Sequence, residues 1–77
     1  MNENELKNIC DSIVRFLYDN PDANKLSSVD LYNQWSHYSS VTVTSDKTAM
    51  WVFRFLQEFV NTPRYIIVEA IQGGNLC

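Results

Sequence analysis

The alternation of apolar and polar residues divides the first half of the chain into two helical segments. Residues 5–19 carry apolar side chains at helical spacing, and Pro21 ends this segment because the residue before a proline is pushed out of the helical region. Residues 28–38 form a shorter, aromatic-rich segment, for which Ser27 or Ser28 is the expected N-cap. The apolar faces of the two segments comprise Leu6, Ile9, Cys10, Ile13, Val14, Phe16 and Leu17 in the first, and Leu31, Tyr32, Trp35 and Tyr38 in the second.

A third helix is predicted over residues 45–61, capped by Thr44 or Ser45 and ended by the turn at Pro63. Trp51 and Phe55, four residues apart, widen its apolar face to about half of the helix circumference. A helix this broadly apolar needs neighbours on two sides, so we expect the other two helices to pack around it. Its principal apolar face consists of Ala49, Val52, Phe53, Leu56, Phe59 and Val60.

Two short segments have the composition of β-strands. Residues 65–71, YIIVEAI, are β-branched and aromatic, and they are bounded by Pro63 and by Gly73-Gly74. Residues 41–44, VTVT, fit either a brief strand or an extended loop. The sequence therefore predicts an α+β domain, mainly α, with three helices packed around residues 45–61 and one or two short strands.

The order of these segments resembles a winged helix-turn-helix domain. In that comparison residues 26–31 lead as a short strand into the second helix, residues 39–44 form the turn, and residues 45–60 take the place of the recognition helix. Residues 64–68 correspond to the strand that returns to the core. The resemblance implies DNA binding, with a phosphate contact from Arg64 and groove-facing side chains at Lys47, Thr48, Arg54 and Gln57.

Length and charge limit the function classes. A chain of 77 residues forms one domain, which we expect to be ordered over about residues 5–71 with short flexible termini. Its net charge of −3 is unfavourable for general nucleic-acid binding, which draws most of its affinity from basic side chains. No apolar run reaches the ~18 residues that span a bilayer, and the polar N-terminus lacks signal-peptide features. We therefore expect a cytoplasmic protein.

The residues able to support catalysis are scattered. His37 lies on the polar face of the second helix, Cys10 on the apolar face of the first, and Cys77 at the last position. Asp19 and Asp22 merely flank a proline turn, and no helix follows the glycine pair to form a phosphate site. We expect reduced cysteines, no catalytic residues, no metal and no cofactor, and hence a protein that is not an enzyme.

The wide aromatic face of the third helix is the strongest functional signal. A small chain has difficulty covering it, and exposed aromatic residues are favoured anchors in protein interfaces. Core packing against Trp35 or Tyr32 is the default interpretation of Trp51 and Phe55, and an aromatic patch for a partner or a second subunit is the functional one. The leading hypothesis is a small regulatory or accessory protein that binds another protein or itself. It resembles in style the phage accessory proteins that inhibit or modulate a host factor. The interface candidates are Trp51, Phe55, Met50 and Trp35.

Overall fold

The computed structural model describes residues 3–73, which form an all-helical domain. Its α-helices are α1 (Glu3–Asp19), α2 (Ser28–Ser39), α3 (Asp46–Phe59) and α4 (Arg64–Gly73), with a short 3-10 turn at Ala23–Lys25. Within residues 3–73 there is no β-strand. The predicted α+β architecture, with its winged-helix-like strands, is therefore wrong.

The first three helices begin and end close to the positions that the local sequence indicates. Ser27 is the N-cap of α2, and its Oγ accepts a hydrogen bond from the Asp30 N–H at 3.2 Å. Ser45 is the N-cap of α3, and its Oγ accepts a hydrogen bond from the Thr48 N–H at 3.1 Å. These bonds satisfy backbone donors that have no partner inside the helix.

Residues 65–71 belong to helix α4, and this is the main correction to the sequence-based prediction. Ile67 is buried, and Ala70 and Ile71 pack against the core, which is the i, i+3, i+4 spacing of one helix face. A helix satisfies its backbone hydrogen bonds within the segment, whereas a strand requires a neighbouring strand. Intrinsic β propensity is weaker than this combination of burial and backbone pairing.

The second predicted strand, residues 41–44, is an irregular connection between α2 and α3. Val41 and Val43 are half-buried against the core, while Thr42 and Thr44 are exposed. The alternation seen in the sequence is therefore present as alternating burial. It does not produce a strand, because no other extended segment within residues 3–73 pairs with it.

Helix α1, and not α3, is the central element of the fold. It packs against α2, α3 and α4, whereas the main contacts of α3 are with α1 and α2. The two helices also differ in how many residues they bury. Helix α3 fully buries only Val52 and Leu56, whereas α1 buries Ile9, Cys10, Ile13, Val14, Phe16 and Leu17. The prediction that all helices pack around the third is wrong, because α3 has a broad apolar face but buries fewer of its residues than α1 does.

Trp35 of α2 fills the middle of the core, where its side chain is 0% exposed. Its Nε1–H donates a hydrogen bond to Ser12 Oγ of α1 at 3.0 Å. The Ser12 hydroxyl in turn donates to the carbonyl oxygen of Ile9 at 2.7 Å. The indole therefore contributes a large apolar surface while its one polar group has a partner.

Tyr38 joins the C-terminal ends of α2 and α1. Its hydroxyl donates a short hydrogen bond to the carboxylate of Asp19, and its ring lies edge-on to Phe16, with centroids 5.5 Å apart. The hydrogen bond to Asp19 raises the pKa of Tyr38 to about 12, and partial burial and the negative charge of Asp19 act in the same direction. The protonated phenol is thus the form that the folded protein favours.

This shift predicts how Tyr38 contributes to stability as pH changes. Because the pKa is raised on folding, the contribution is complete below the unfolded value of about 10 and is lost as pH rises toward 12. Tyr38→Phe should lower the free energy of unfolding at pH 8 by about 1 kcal/mol, a figure discounted because Tyr38 is 42% exposed. The gap between wild type and Tyr38→Phe should close as pH rises from 10 to 12 in urea-unfolding experiments.

Tyr65→Phe is the matched control, since Tyr65 is an exposed tyrosine on α4. It should leave the unfolding free energy at pH 8 unchanged. A gap between wild type and Tyr38→Phe that stays constant from pH 8 to 12 would contradict the assigned role of the Tyr38–Asp19 bond.

Candidate functional site

One exposed strip runs the length of α3. Lys47, Trp51, Arg54 and Glu58 are spaced by four, three and four residues, which places them on one side of the helix. All of them are exposed, and Trp51 is 42% exposed although it is one of the largest apolar side chains in the protein. We call these four residues the α3 outer face.

Trp51 is anchored by its own helix. Its ring lies 5.3 Å from Phe55, and Phe55 stacks on Phe59 at 5.7 Å with nearly parallel planes. The guanidinium of Arg54 lies 6.0 Å from the Trp51 ring centroid, at the limit of a cation–π contact. These neighbours restrict the indole, so a partner would meet a largely preformed aromatic surface.

A groove of about 440 Å³ flanks the outer face on the side of α2. Its floor includes Tyr32 of α2 and Phe53 of α3, whose rings stack with centroids 5.8 Å apart. Met50, which is 66% exposed, and Arg54 form part of its wall together with Ala49. The lining is apolar except for Arg54 and the Tyr32 hydroxyl, so the groove suits an apolar side chain of a partner.

A second groove, of about 300 Å³, lies on the opposite side of the outer face, toward α1. It is lined by Leu6 of α1 and by Ser45, Lys47, Thr48 and Trp51 of the α3 end. Trp51 thus borders one groove and Met50 the other. The exposed side of α3 thus has an apolar groove toward α2 and a groove of mixed polar and apolar lining toward α1.

The interface residues predicted from the sequence occupy three different environments. Trp51 and Met50 are exposed on α3, and Phe55 is half-buried beneath Trp51. Trp35 is wholly buried, so it has no surface to offer a partner. Apolar spacing does distinguish the two tryptophans, because Trp35 lies within the apolar face of α2 with Leu31 and Tyr38, whereas Trp51 lies outside the principal apolar face of α3.

The nucleic-acid candidates are also divided. Lys47, Arg54 and Gln57 are exposed on α3. Thr48 is half-buried, and its hydroxyl accepts a hydrogen bond from Ser45 Oγ at 2.8 Å within the N-cap. Arg64 lies on another helix, and its guanidinium is bonded to the end of α1.

Arg64 caps the C-terminal end of α1. Its Nη1 donates to the carbonyl oxygen of Leu17 at 3.0 Å, and its Nη2 donates to that of Tyr18 at 2.7 Å. The guanidinium also lies 4.9 Å from the Tyr18 ring centroid. These carbonyls have no partner within their helix, and α1 has no basic residue in its own last turn. Arg64 therefore supplies the missing positive charge from α4.

The residues with catalytic potential lie apart. Cys10 is buried on α1, while His37 is exposed in the last turn of α2. Asp19 accepts the Tyr38 bond, and Asp22 forms a surface ion pair with Lys25 at 3.5 Å. Across residues 3–73, no group of histidine, cysteine, aspartate and glutamate side chains is arranged to hold a metal ion. Cys77 lies outside the described residues.

Sequence reasoning missed several residues of this surface. Tyr32 and Phe53 form the floor of the α2-side groove, Leu6 lines the other, and Glu58 completes the outer face. The signal for Glu58 was present, because residues 47, 51, 54 and 58 share one side at regular spacing. The grooves depend on how α1 and α2 flank α3, which only the folded chain reveals.

Comparison of the chain with protein-family models, with curated proteins and with solved structures gives no match. Of the helices formed by residues 3–73, none has the length and apolar content needed to cross a membrane.

The capping geometry predicts that Arg64 serves stability. Arg64→Ala should lower the free energy of unfolding by about 1–2 kcal/mol, because two charge-assisted hydrogen bonds to α1 are lost. Arg64→Lys should recover only part of this, since an ammonium group lacks the guanidinium fork that reaches both carbonyls. Lys47→Ala, the control at an exposed cation, should stay within about 0.5 kcal/mol of wild type in urea unfolding. Equal stability of wild type and Arg64→Ala would contradict the capping role.

Proposed function

We propose that this chain is a small non-enzymatic regulatory or accessory protein that acts by binding another protein molecule through the α3 outer face and its two flanking grooves. The observation that carries the proposal is the exposure of Trp51 and Met50 on the same helix, where Phe55 and Arg54 already restrict the indole. Large apolar side chains clustered at the surface mark interaction sites more often than isolated ones do.

The chemistry of the surface favours a protein partner. Tryptophan, methionine and arginine are enriched in protein interfaces, and a restricted aromatic ring loses little entropy on binding. The groove of about 440 Å³ beside Met50 offers a pocket to an apolar side chain of the partner, and the groove of about 300 Å³ beside Trp51 adds both apolar and polar contacts. Lys47, Arg54 and Glu58 between them would form polar contacts that set the orientation.

Nucleic-acid binding has weaker support from the same geometry. Arg64 is bonded to α1 and Thr48 lies in the α3 cap, so Lys47, Arg54 and Gln57 remain as the exposed candidates. Arg54 also lies against Trp51, and the whole chain carries a net charge of −3. Binding driven by phosphate contacts would need a larger basic area than these residues provide.

The proposal predicts that Trp51 is required for partner recovery. Tagged wild-type protein, cross-linked in its native lysate so that weak complexes are trapped, should retain a protein after nuclease treatment and in 0.5 M salt, since an aromatic interface depends little on ionic strength. Trp51→Ala should reduce recovery at least tenfold, which corresponds to loss of one interface hot spot. Tyr65→Ala, which truncates an exposed aromatic on α4, should bind like wild type.

Circular dichroism must show that both variants remain helical before recovery is compared. Release of all bound material by nuclease would contradict protein binding. So would loss of binding in the Lys47→Ala/Arg54→Ala double variant while Trp51→Ala binds normally, because that pattern belongs to phosphate contacts.

A further inference from the structure

We propose that the partner of the α3 outer face is a second copy of this chain, bound through an antiparallel pair of α3 helices. The inference rests on the proposed function, since it names the molecule that covers the same surface. The order of charged and aromatic residues along α3 is complementary to that of a second α3 helix running in the opposite direction.

The self-complementarity has a single centre. Lys47 and Glu58 lie equally far on either side of the level between Val52 and Phe53. Trp51 and Arg54 are also equidistant from that level. A twofold axis at this level therefore brings Lys47 opposite the partner's Glu58 and Trp51 opposite the partner's Arg54, each contact occurring twice. A symmetric dimer requires this match of one patch with itself.

The spacing of the outer face suits helix pairing. Separations of four, three and four residues match the spacing of contact positions in a two-helix coiled coil, although a coiled-coil seam is apolar and three of these four residues are charged. The match to a second helix therefore lies in the pairing of charges. At the usual distance of about 8–10 Å between paired helix axes, long side chains reach across the seam. Trp51 and Arg54, already 6.0 Å apart within one copy, would alternate with the same pair from the other copy.

The charged residues at the two ends of α3 have the signs that an isolated helix disfavours at those ends. Lys47 lies in the first turn of α3 and Glu58 in the last, whereas a helix favours negative charge at its N-terminus and positive charge at its C-terminus. Asp46 offsets Lys47 only in part. An antiparallel partner removes the conflict, because it places Glu58 of the partner subunit beside Lys47 at the N-terminal end.

The size of the surface predicts a weak, reversible dimer. We expect a single pair of 14-residue helices, with Met50 and the two flanking grooves, to bury less surface area than a standard interface. Interfaces of that size belong to transient complexes. We expect a dissociation constant of about 10–100 µM, typical of small interfaces with few anchors. Such a dimer forms at high local concentration and separates on dilution.

Charge exchange tests the pairing directly by sedimentation equilibrium between about 5 and 500 µM, the range that brackets this affinity. Glu58→Lys places like charges together at two sites and should weaken the dimer about tenfold, and Lys47→Glu should do the same. The double variant Lys47→Glu/Glu58→Lys restores both pairs and should return to within about threefold of wild type. The exchanged charges agree with the helix dipole, so α3 should fold at least as well.

Glu69→Lys on α4 is the control for net charge. Both Glu69→Lys and Glu58→Lys change the net charge of the chain from −3 to −1, which lessens general repulsion between copies. The proposal requires Glu58→Lys to weaken the dimer in spite of this, while Glu69→Lys leaves it unchanged or slightly stronger. Identical behaviour of the two variants, or no rescue in the double variant, would overturn the antiparallel pairing.

Failure of self-pairing can be distinguished from failure of protein binding. A wild-type chain that stays monomeric up to 500 µM, yet recovers a different protein in a Trp51-dependent manner, would overturn self-pairing and leave protein binding intact. A dimer that forms equally well with Trp51→Ala would show that another surface mediates association, which overturns the pairing proposed here.

Discussion

The burial of one polar atom, the indole nitrogen of Trp35, constrains how α2 packs against the central helix α1. A fully buried Trp35 needs an acceptor for its N–H, and Ser12 of α1 provides it at 3.0 Å while donating its own hydrogen to Ile9. This fixes the separation and rotation of α2 relative to α1, because a shift of either helix would leave a buried donor without a partner. The apolar residues around the indole stabilise the core, but hydrophobic burial has no preferred direction. The Trp35–Ser12 bond selects one rotation of α2 relative to α1.

The need to pair polar groups also explains why contacts from α2 and α4 meet at the C-terminal end of α1. The last carbonyls of a helix lack intrahelical partners, and here Asn20 reaches Phe16 while Arg64 reaches Leu17 and Tyr18. Tyr38 binds Asp19 at the same end. Helices α2 and α4 are thus fixed to α1 by polar contacts as well as by apolar packing. Helix α3 packs on α1 and α2 through Val52 and Leu56, and Met50 and Trp51 on its outer side are exposed.

The sequence predicted local features well and long-range ones poorly. Ser27, Ser45 and Pro21 act through neighbours within a few residues, so the starts and ends of the early helices were readable. Residues 65–71 were misassigned because a short β-branched run fits a strand and a buried helix equally, and the choice depends on whether a partner strand exists. The cap formed by Arg64 joins residues far apart in the chain, and no local pattern indicates it. The spacing did set Trp35, within the apolar face of α2, apart from Trp51, at the margin of that of α3, but how deeply each is buried depends on how α1 packs against their helices.

The two tryptophans of the chain have opposite places in the structure, Trp35 in the core and Trp51 at the surface. Hydrogen exchange of the two indole N–H groups, followed by NMR and assigned with Trp51→Phe, tests this most directly. Trp35 should exchange only through global unfolding, because its N–H is buried and bonded to Ser12. Trp51 should exchange orders of magnitude faster, without unfolding. Rapid exchange at Trp35, or equal protection of the two indoles, would contradict both the core and the surface described here.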